Sequence, residues 1–170
     1  MQVPQDYFNY TLLNDLTTSS TTSPIWYGYV ASLNVLSTPM LFSTTPTSKY
    51  FVMGAHGTKS AIDIHHIFPK HFLALQGFDD DRDRNQIANY TYLDYSTNID
   101  ISDNPPADYV EAYRKRLGEN GYKEACAQNA LPENFENLNY MDFLVERRKL
   151  MAKLIRKAYN KLGAPVKPCV

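Results

Sequence analysis

The segment that follows Asn139 has the clearest periodic pattern in the chain. Apolar side chains recur in it at helical spacing, and they are Phe143, Leu144, Met151, Leu154, Ile155, Ala158 and Leu162. Asn139, with Asp142 three residues later, has the residue types of a capped helix start, and Gly163 follows the last apolar position. The pattern predicts a long amphipathic helix, which requires other elements against which its apolar face can pack.

Other segments carry weaker helix signals. A serine followed by a proline predicts a helix over about 24–36, because these residue types favour the N-cap and the first helical position. A pair of prolines opens a predicted helix over 106–117, which Gly118 closes, and a second short helix is predicted over roughly 122–130. Eight of the thirteen residues in 11–23 are Ser or Thr. That composition favours a loop, because hydroxyl groups compete for backbone hydrogen bonds.

Two short segments have strand patterns. In 61–66 two isoleucines alternate with polar side chains, as in a half-buried strand. Residues 90–94 have the aromatic and β-branched composition of a second strand, and the polar segment 77–84 predicts a loop before it. The two strands are expected to pair as a hairpin. Together with the helices they predict an α+β fold that is mostly helical.

The bulk properties are those of one folded domain. A chain of 170 residues needs only a single core. No stretch is apolar enough to span a membrane and no secretory signal is visible, so we expect a cytoplasmic protein without a membrane partner. The two cysteines form neither a C-x-x-C motif nor a disulfide framework. Cys126 is expected in the core and Cys169 in the tail.

Charge is distributed unevenly along the chain. Residues 1–58 contain only three charged side chains, which predicts a segment that packs against another part of a protein. The net charge is −1, whereas a free-standing, non-specific DNA binder usually has a basic surface. Cations are concentrated on the last predicted helix, where Arg147 and Arg148 are candidates for substrate binding. The sequence leaves open whether this face contacts a nucleic acid or is simply solvated.

Adjacent histidines, His65 and His66, lie in the first predicted strand. Hydrolysis of a phosphodiester needs a nucleophilic water and a cation that absorbs negative charge on the phosphate. Since neighbouring strand residues point to opposite faces, one histidine is expected to bind a metal ion and the other to act as a base. Imidazole suits the base role, because its ordinary pKa of ~6.5 leaves much of it neutral near physiological pH. Taken alone, however, such a pair is more often structural.

The residues around this pair resemble a known nuclease motif. The string Asp63-x-His65-His66-Ile67-x-Pro69, followed by Asn89 and then Asn98, is similar to the HNH, or ββα-metal, motif. Finer details resemble the C-terminal nuclease domain of GmrSD-type modification-dependent restriction enzymes, and they are Ile-Phe-Pro-Lys70, Ile87-Ala-Asn89, Leu93-Asp94 and the tail from Asn98 through Pro105 to Tyr109. This closer resemblance spans about 59–109. In that family a hairpin and a helix hold one divalent ion.

Carried over residue by residue, the resemblance implies a role for each motif position. His66 would be the general base and His65 a metal ligand. Asn89 would tie the loop to the helix and orient the base, and Asn98 would be a second metal ligand. His65 stands where many members have Asp, and Asn98 stands where the motif nominally has His. An imidazole and an amide oxygen form a loosely selective site, so the expected ion is Mg²⁺, with Mn²⁺, Ni²⁺ or Zn²⁺ as alternatives.

Two further residues enter the predicted site. Asp63 is a candidate for a catalytic role beside the histidines, with exposure on a strand edge as the alternative. Lys70 is a candidate for contact with a substrate phosphate. The paired cysteines with which some HNH proteins bind a structural zinc are absent from the sequence. We therefore expect the helices to stabilise the small hairpin.

The resemblance also implies a domain organisation and a function. It implies one nuclease domain over 1–170, with a helical segment at 1–58, a ββα-metal core at 59–105 and a helical part at 106–165. The expected activity is metal-dependent cleavage of DNA in restriction or phage defence, with a separate N-terminal recognition or NTPase domain or subunit as a partner. Two alternatives stay open: a catalytically inactive, HNH-like binding or scaffold module, and an RNase or nickase.

Overall fold

The protein is mostly helical in the computed structural model, which describes residues 3–51 and 62–163 apart from the side chains at 50, 51, 62 and 63. In this part of the chain the α-helices are α1 (Leu12–Asp15), α2 (Pro24–Val35), α3 (Lys70–Leu75), α4 (Asp81–Arg84), α5 (Tyr95–Ile101), α6 (Pro106–Gln128) and α7 (Tyr140–Gly163). Short helical turns lie at Tyr7–Thr11, Thr47–Phe51, Ile87–Asn89 and Phe135–Asn137. Strands β1 (Ile62–His66) and β2 (Tyr90–Asp94) form an antiparallel sheet. The predicted α+β class and the hairpin are confirmed.

Helix α2 begins where the sequence predicts. The hydroxyl oxygen of Ser23 accepts a hydrogen bond from the backbone N–H of Trp26 at 3.3 Å, and Pro24 occupies the first helical position, where it needs no donor. Trp26, Tyr29 and Leu33 are buried along the helix, which packs against α7. The predicted helix over 24–36 is therefore confirmed to within one residue at its end.

The loop predicted for 11–23 is wrong in its first part, because α1 covers Leu12–Asp15. Leu12 and Leu16 are both 0% exposed. Two leucines spaced one helical turn apart bury apolar area, and this burial outweighs the weak helix preference of the Ser and Thr residues around them. Segment 77–84 likewise contains a short helix, α4, where the sequence predicted only a loop.

A glycine divides the sixth helix. Gly118 has φ 70° and ψ 162°, a conformation that only glycine adopts readily, and the chain kinks there. The sequence predicted one helix ending at Gly118 and another after it, and the backbone break at this residue confirms the division. The second half continues to Gln128.

Helix α7 has the predicted bounds and is the element around which the core is built. The side-chain oxygen of Asn139 accepts a hydrogen bond from the N–H of Asp142 at 3.0 Å, which caps the first turn. The apolar face of α7 packs against α1, α2 and the turn at Tyr7–Thr11. Within the low-charge N-terminal segment, α1, α2 and the turn before them thus pack against another part of the same chain, as the composition predicted.

The hairpin is anchored to this helical core through β2. Trp26 of α2 places its ring 5.9 Å from the ring of Tyr90 and 6.1 Å from that of Tyr92, between ring centroids. In the strand register His66 lies opposite Tyr90, and His65 lies opposite Thr91. Because directly opposed residues share a face of a sheet, the two histidines belong to different faces.

Two smaller predictions concern the membrane and the cysteines. In the described residues, no helix combines the length and the apolar character that crossing a bilayer requires. Cys126 is a free, buried thiol, as predicted, and burial raises its pKa to about 11. Cys169 lies outside the described residues.

Candidate active site

His66 is held from two sides at the end of β1. Its Nε2 atom lies 3.0 Å from Oδ1 of Asn85, and its ring meets the ring of Tyr90 edge-on, with the centroids 4.7 Å apart and the planes at 60°. His66 is half-buried, so part of the residue remains accessible to solvent. This arrangement fixes the ring orientation without closing it off.

The surroundings of His66 favour its neutral form. Burial lowers the pKa of His66 below 6.5, the hydrogen bond between its ring and the side-chain oxygen of Asn85 opposes this shift, and the positive charge of Lys70 adds to it. At neutral pH the uncharged imidazole, in which one nitrogen has a free lone pair, is therefore the predominant form. A general base needs this protonation state before it can take a proton from water.

Asn89 is a buried cross-link beside His66. Its Oδ1 accepts a hydrogen bond from the N–H of Phe68 at 2.9 Å, and its Nδ2 donates to the carbonyl oxygens of Phe68 at 2.9 Å and Arg84 at 3.1 Å. Its own carbonyl oxygen accepts from the N–H of Ile67 at 2.8 Å. With 0% of its surface exposed, Asn89 cannot touch a substrate. Its hydrogen bonds instead hold the backbone of Ile67, Phe68 and Arg84.

Other side chains that the sequence did not single out support the same backbone. The hydroxyl of Tyr140 donates to the carbonyl oxygens of Asp83 at 2.8 Å and Arg84 at 3.3 Å, and the hydroxyl of Tyr109 donates to that of Ile67 at 3.2 Å. Tyr109 was part of the resemblance, but without an assigned role. Asn85 and Tyr140 give no signal in the sequence, because their roles depend on contacts between distant segments.

His65 and Asn98, the two predicted metal ligands, come from elements that pack against each other. His65 is half-buried on β1, and Asn98 is half-buried in α5, which contacts both strands. Asp94 caps this helix: its Oδ1 accepts hydrogen bonds from the N–H of Thr97 at 2.9 Å and the hydroxyl of Ser96 at 3.0 Å. The cap fixes the residue at which α5 begins and therefore the position of Asn98 along the helix.

The titration of Asp94 follows from this cap. Burial alone would raise the pKa of Asp94, but hydrogen bonds from Ser43, Thr97 and Ser96 outweigh it and hold the pKa below 3.8. The carboxylate is therefore ionised at neutral pH. A negative charge at the first turn also interacts favourably with the helix dipole.

The donor chemistry of His65 and Asn98 fits a divalent ion. An imidazole nitrogen and an amide oxygen are both metal ligands, and a site with so few protein donors leaves positions for water and phosphate oxygens. Among the described residues, no group of three or more His, Cys, Asp or Glu side chains is arranged to hold a metal ion. A site of the predicted kind is not such a group, since it has one histidine and one amide.

Asp63 lies in β1 with its backbone opposite Leu93. The prediction of a catalytic role concerns its side chain, which lies outside the described part of the structure. Lys70 is exposed at the first position of α3, and its Nζ lies 3.8 Å from a carboxylate oxygen of Asp81. The same oxygen lies 3.1 Å from Nη2 of Arg84. Two cations thus share one carboxylate near His66.

The structure corrects the prediction for Arg147. This side chain is 0% exposed, and its Nη2 donates to the carbonyl oxygens of Tyr90 at 2.8 Å and Asn129 at 3.5 Å. A guanidinium enclosed in the core cannot reach a substrate, so Arg147 has a structural role and joins α7 to the hairpin. Helical spacing alone did not reveal this, because it does not show that other elements cover the part of α7 on which Arg147 lies.

Arg148 is half-buried and donates from Nη2 to Oε1 of Gln86 at 2.8 Å. It therefore lies beside the loop that carries Asn85, and its predicted contact with substrate stays a prediction. Farther along α7, Lys149 pairs with Glu146 at 2.6 Å and Lys161 donates to the carbonyl oxygen of Val35 at 2.8 Å. The first contact lies within α7, and the second joins α7 to the last residue of α2.

Comparisons of the chain with protein-family models, with curated proteins and with solved structures found no match.

Proposed function

We propose that this protein is a divalent-metal-dependent endonuclease of the HNH type that hydrolyses phosphodiester bonds in DNA. The observation that supports the proposal most is the setting of His66. It is a half-buried, neutral imidazole whose Nε2 is held by Asn85 and whose backbone neighbours are fixed by buried Asn89. Solvent-accessible groups that are held this firmly and kept unprotonated suit general base catalysis.

In the proposed mechanism His66 accepts a proton from a water molecule as the water attacks the phosphorus atom. Asn89 keeps the end of β1 and the loop after α4 in register, so that the base stays oriented. Lys70 attracts a phosphate oxygen of the substrate. His65 and Asn98 would hold a divalent ion, which when bound would stabilise negative charge on the phosphate and the leaving oxygen.

The charge of the protein bears on how it meets its substrate. A net charge of −1 provides little general attraction for a polyanion, so local cations must suffice or another domain must bring the DNA to the site. We therefore propose that a separate recognition or NTPase domain or subunit delivers the substrate. Restriction of modified or foreign DNA in the cytoplasm is the biological role that we propose.

A substrate screen tests the proposal. The protein is incubated with supercoiled plasmid, single-stranded DNA and RNA, each with Mg²⁺, Mn²⁺, Ni²⁺ or Zn²⁺ and each repeated with EDTA. We expect cleavage of duplex DNA that requires the metal ion. If only RNA is cleaved, the substrate is RNA and the proposal of DNA is wrong. If no substrate is cleaved with any ion, the proposed nuclease function is contradicted.

A further inference from the structure

Asn85 is the residue in contact with the ring nitrogen of the proposed base, and the HNH-like pattern does not include it. It follows α4 directly, and its backbone N–H donates to the carbonyl oxygen of Asp81 at 2.9 Å. Its side-chain oxygen lies 3.0 Å from Nε2 of His66. Asn85 is half-buried, as is the histidine.

The chemistry of this contact determines which tautomer of His66 is stable. An amide oxygen has lone pairs but no hydrogen, so it can only accept a hydrogen bond. The Nε2 atom of neutral His66 must therefore carry the proton. The other ring nitrogen, Nδ1, then has the free lone pair, since a neutral imidazole has one protonated and one unprotonated nitrogen.

We propose that Asn85 is a positioning residue that holds neutral His66 in the Nε2-protonated tautomer and thereby makes Nδ1 the atom that accepts the proton from water. This inference rests on the proposed nuclease function. In the step, the water oxygen bonds to phosphorus, the water proton goes to Nδ1, and the bond from phosphorus to the leaving oxygen breaks. The leaving oxygen then takes a proton from solvent.

The loop that carries Asn85 is held independently of its side chain. The carbonyl oxygen of Arg84, the preceding residue, accepts hydrogen bonds from Asn89 at 3.1 Å and Tyr140 at 3.3 Å. On the other side of the contact, Asn89 fixes the backbone of Phe68, two residues after His66. Removing the Asn85 side chain should therefore leave both backbones in place and release only the imidazole.

Two variants and a control isolate this effect. Asn85→Ala removes the acceptor. Asn85→Asp keeps an oxygen that can only accept, so it should preserve the tautomer. Asn120→Ala makes the same change as the first variant at an exposed position of α6. Circular dichroism and urea unfolding verify that all three proteins are folded.

The first measurement is a long-range ¹H–¹⁵N correlation spectrum of the metal-free protein at a pH where the imidazole is neutral, with the His66 signals assigned by their loss in His66→Gln. We expect the wild type, Asn85→Asp and Asn120→Ala to show the Nε2-protonated form. Asn85→Ala should show a mixture of the two tautomers. An Nδ1-protonated form in the wild type, or an unchanged spectrum in Asn85→Ala, would overturn the inference.

The second measurement is the kinetics of DNA cleavage. We expect Asn85→Ala to lower kcat by a factor of about 10 to 100 with KM changed by less than about twofold, because the residue orients the base and does not bind DNA. Asn85→Asp should recover a substantial part of the rate. Wild-type kcat in Asn85→Ala would overturn the inference and leave the nuclease function intact. If the wild type cleaves no substrate, the proposed nuclease function is wrong. The spectra would still show whether Asn85 holds His66 in the Nε2-protonated tautomer.

Discussion

The side-chain amide of Asn89 forms two hydrogen bonds with the backbone of Phe68, one to the N–H and one to the carbonyl oxygen, each 2.9 Å long. A third bond joins the same amide to the carbonyl oxygen of Arg84. One buried side chain therefore links the end of β1 to the loop after α4. His66 and Asn85, which form the proposed base and its positioning residue, are carried by these two segments.

Asn89→Ala is expected to destabilise the protein by about 2 to 3 kcal/mol. The substitution leaves buried backbone groups of Phe68 without their partner, and an unpaired buried polar group costs about 1 to 3 kcal/mol. Urea unfolding measures the difference. Asn134→Ala is the matched control, because Asn134 is exposed and makes no side-chain capping bond. Equal unfolding free energies for the two variants would contradict the cross-link.

The cap of α5 makes a prediction that depends on pH. Asp94→Ala should lower the free energy of unfolding by about 1 kcal/mol near neutral pH, because it removes the N-cap acceptor. The folded pKa of Asp94 lies below its ordinary value of 3.8, so its stabilisation is present above that pH and is lost as pH falls through the folded pKa.

Unfolding experiments at pH 6 and at successively lower pH down to 3 test the direction of the shift in the pKa of Asp94. The difference in stability between wild type and Asp94→Ala should be constant near pH 6 and should shrink below about pH 4. Asn104→Ala, at an exposed position after α5 and without an ionisable side chain, should show no such trend. A difference that grows as the pH falls would show that the pKa of Asp94 is raised instead.

Arg147→Ala is expected to lower stability by about 3 kcal/mol or more. The change opens a cavity in the core and removes the donor to the carbonyl oxygen of Tyr90. Lys153→Ala, on the exposed face of the same helix, should change stability by less than about 0.5 kcal/mol. Thermal unfolding compares them. If Arg147→Ala unfolds like the wild type but binds DNA more weakly, the core role of Arg147 is wrong.

The proposed contact of Lys70 with phosphate predicts how the affinity for DNA depends on salt concentration. Its ammonium group is exposed beside the site, and contact with one phosphate would release about one counterion. Lys70→Ala should therefore weaken DNA binding and reduce the slope of log affinity against log salt by about 1. Fluorescence anisotropy across a salt series measures the slope. Lys115→Ala, at an exposed position of α6 paired with Glu111, should leave it unchanged. Identical slopes for wild type and Lys70→Ala would remove Lys70 from the interface.

Periodicity predicted the elements of the fold that have long or distinctive patterns. The bounds of α7 and the start of α2 were predictable because capping residues and apolar spacing coincide there. The second strand was predictable from its aromatic and β-branched composition. The helix α1 was not, because two buried leucines among Ser and Thr residues give only a weak local signal. Its helical form depends on packing against α7, which lies more than a hundred residues away.

The candidate site was predictable at the positions of a short motif and not beyond them. His66 and Asn89 lie near each other, as the motif implies, and Asn89 is buried. The roles of Asn85 and Tyr140 depend on contacts between segments that are distant in the chain, and a single sequence does not show these contacts. Arg147 was misplaced because helical spacing identifies a face but does not show how deeply that face is covered.

The rate of DNA cleavage by His66→Ala, compared with that by His71→Ala, decides whether His66 is the general base. His71 is exposed on α3 and has no assigned role, so its replacement controls for the loss of a histidine. The measurement is single-turnover cleavage of plasmid in saturating Mg²⁺ or Mn²⁺, with both variants shown to be folded. We predict that His66→Ala slows cleavage by a factor of at least about 100, in line with the loss of a general base, while His71→Ala cleaves at the wild-type rate. Equal rates for wild type and His66→Ala would contradict the assignment of His66 as the base.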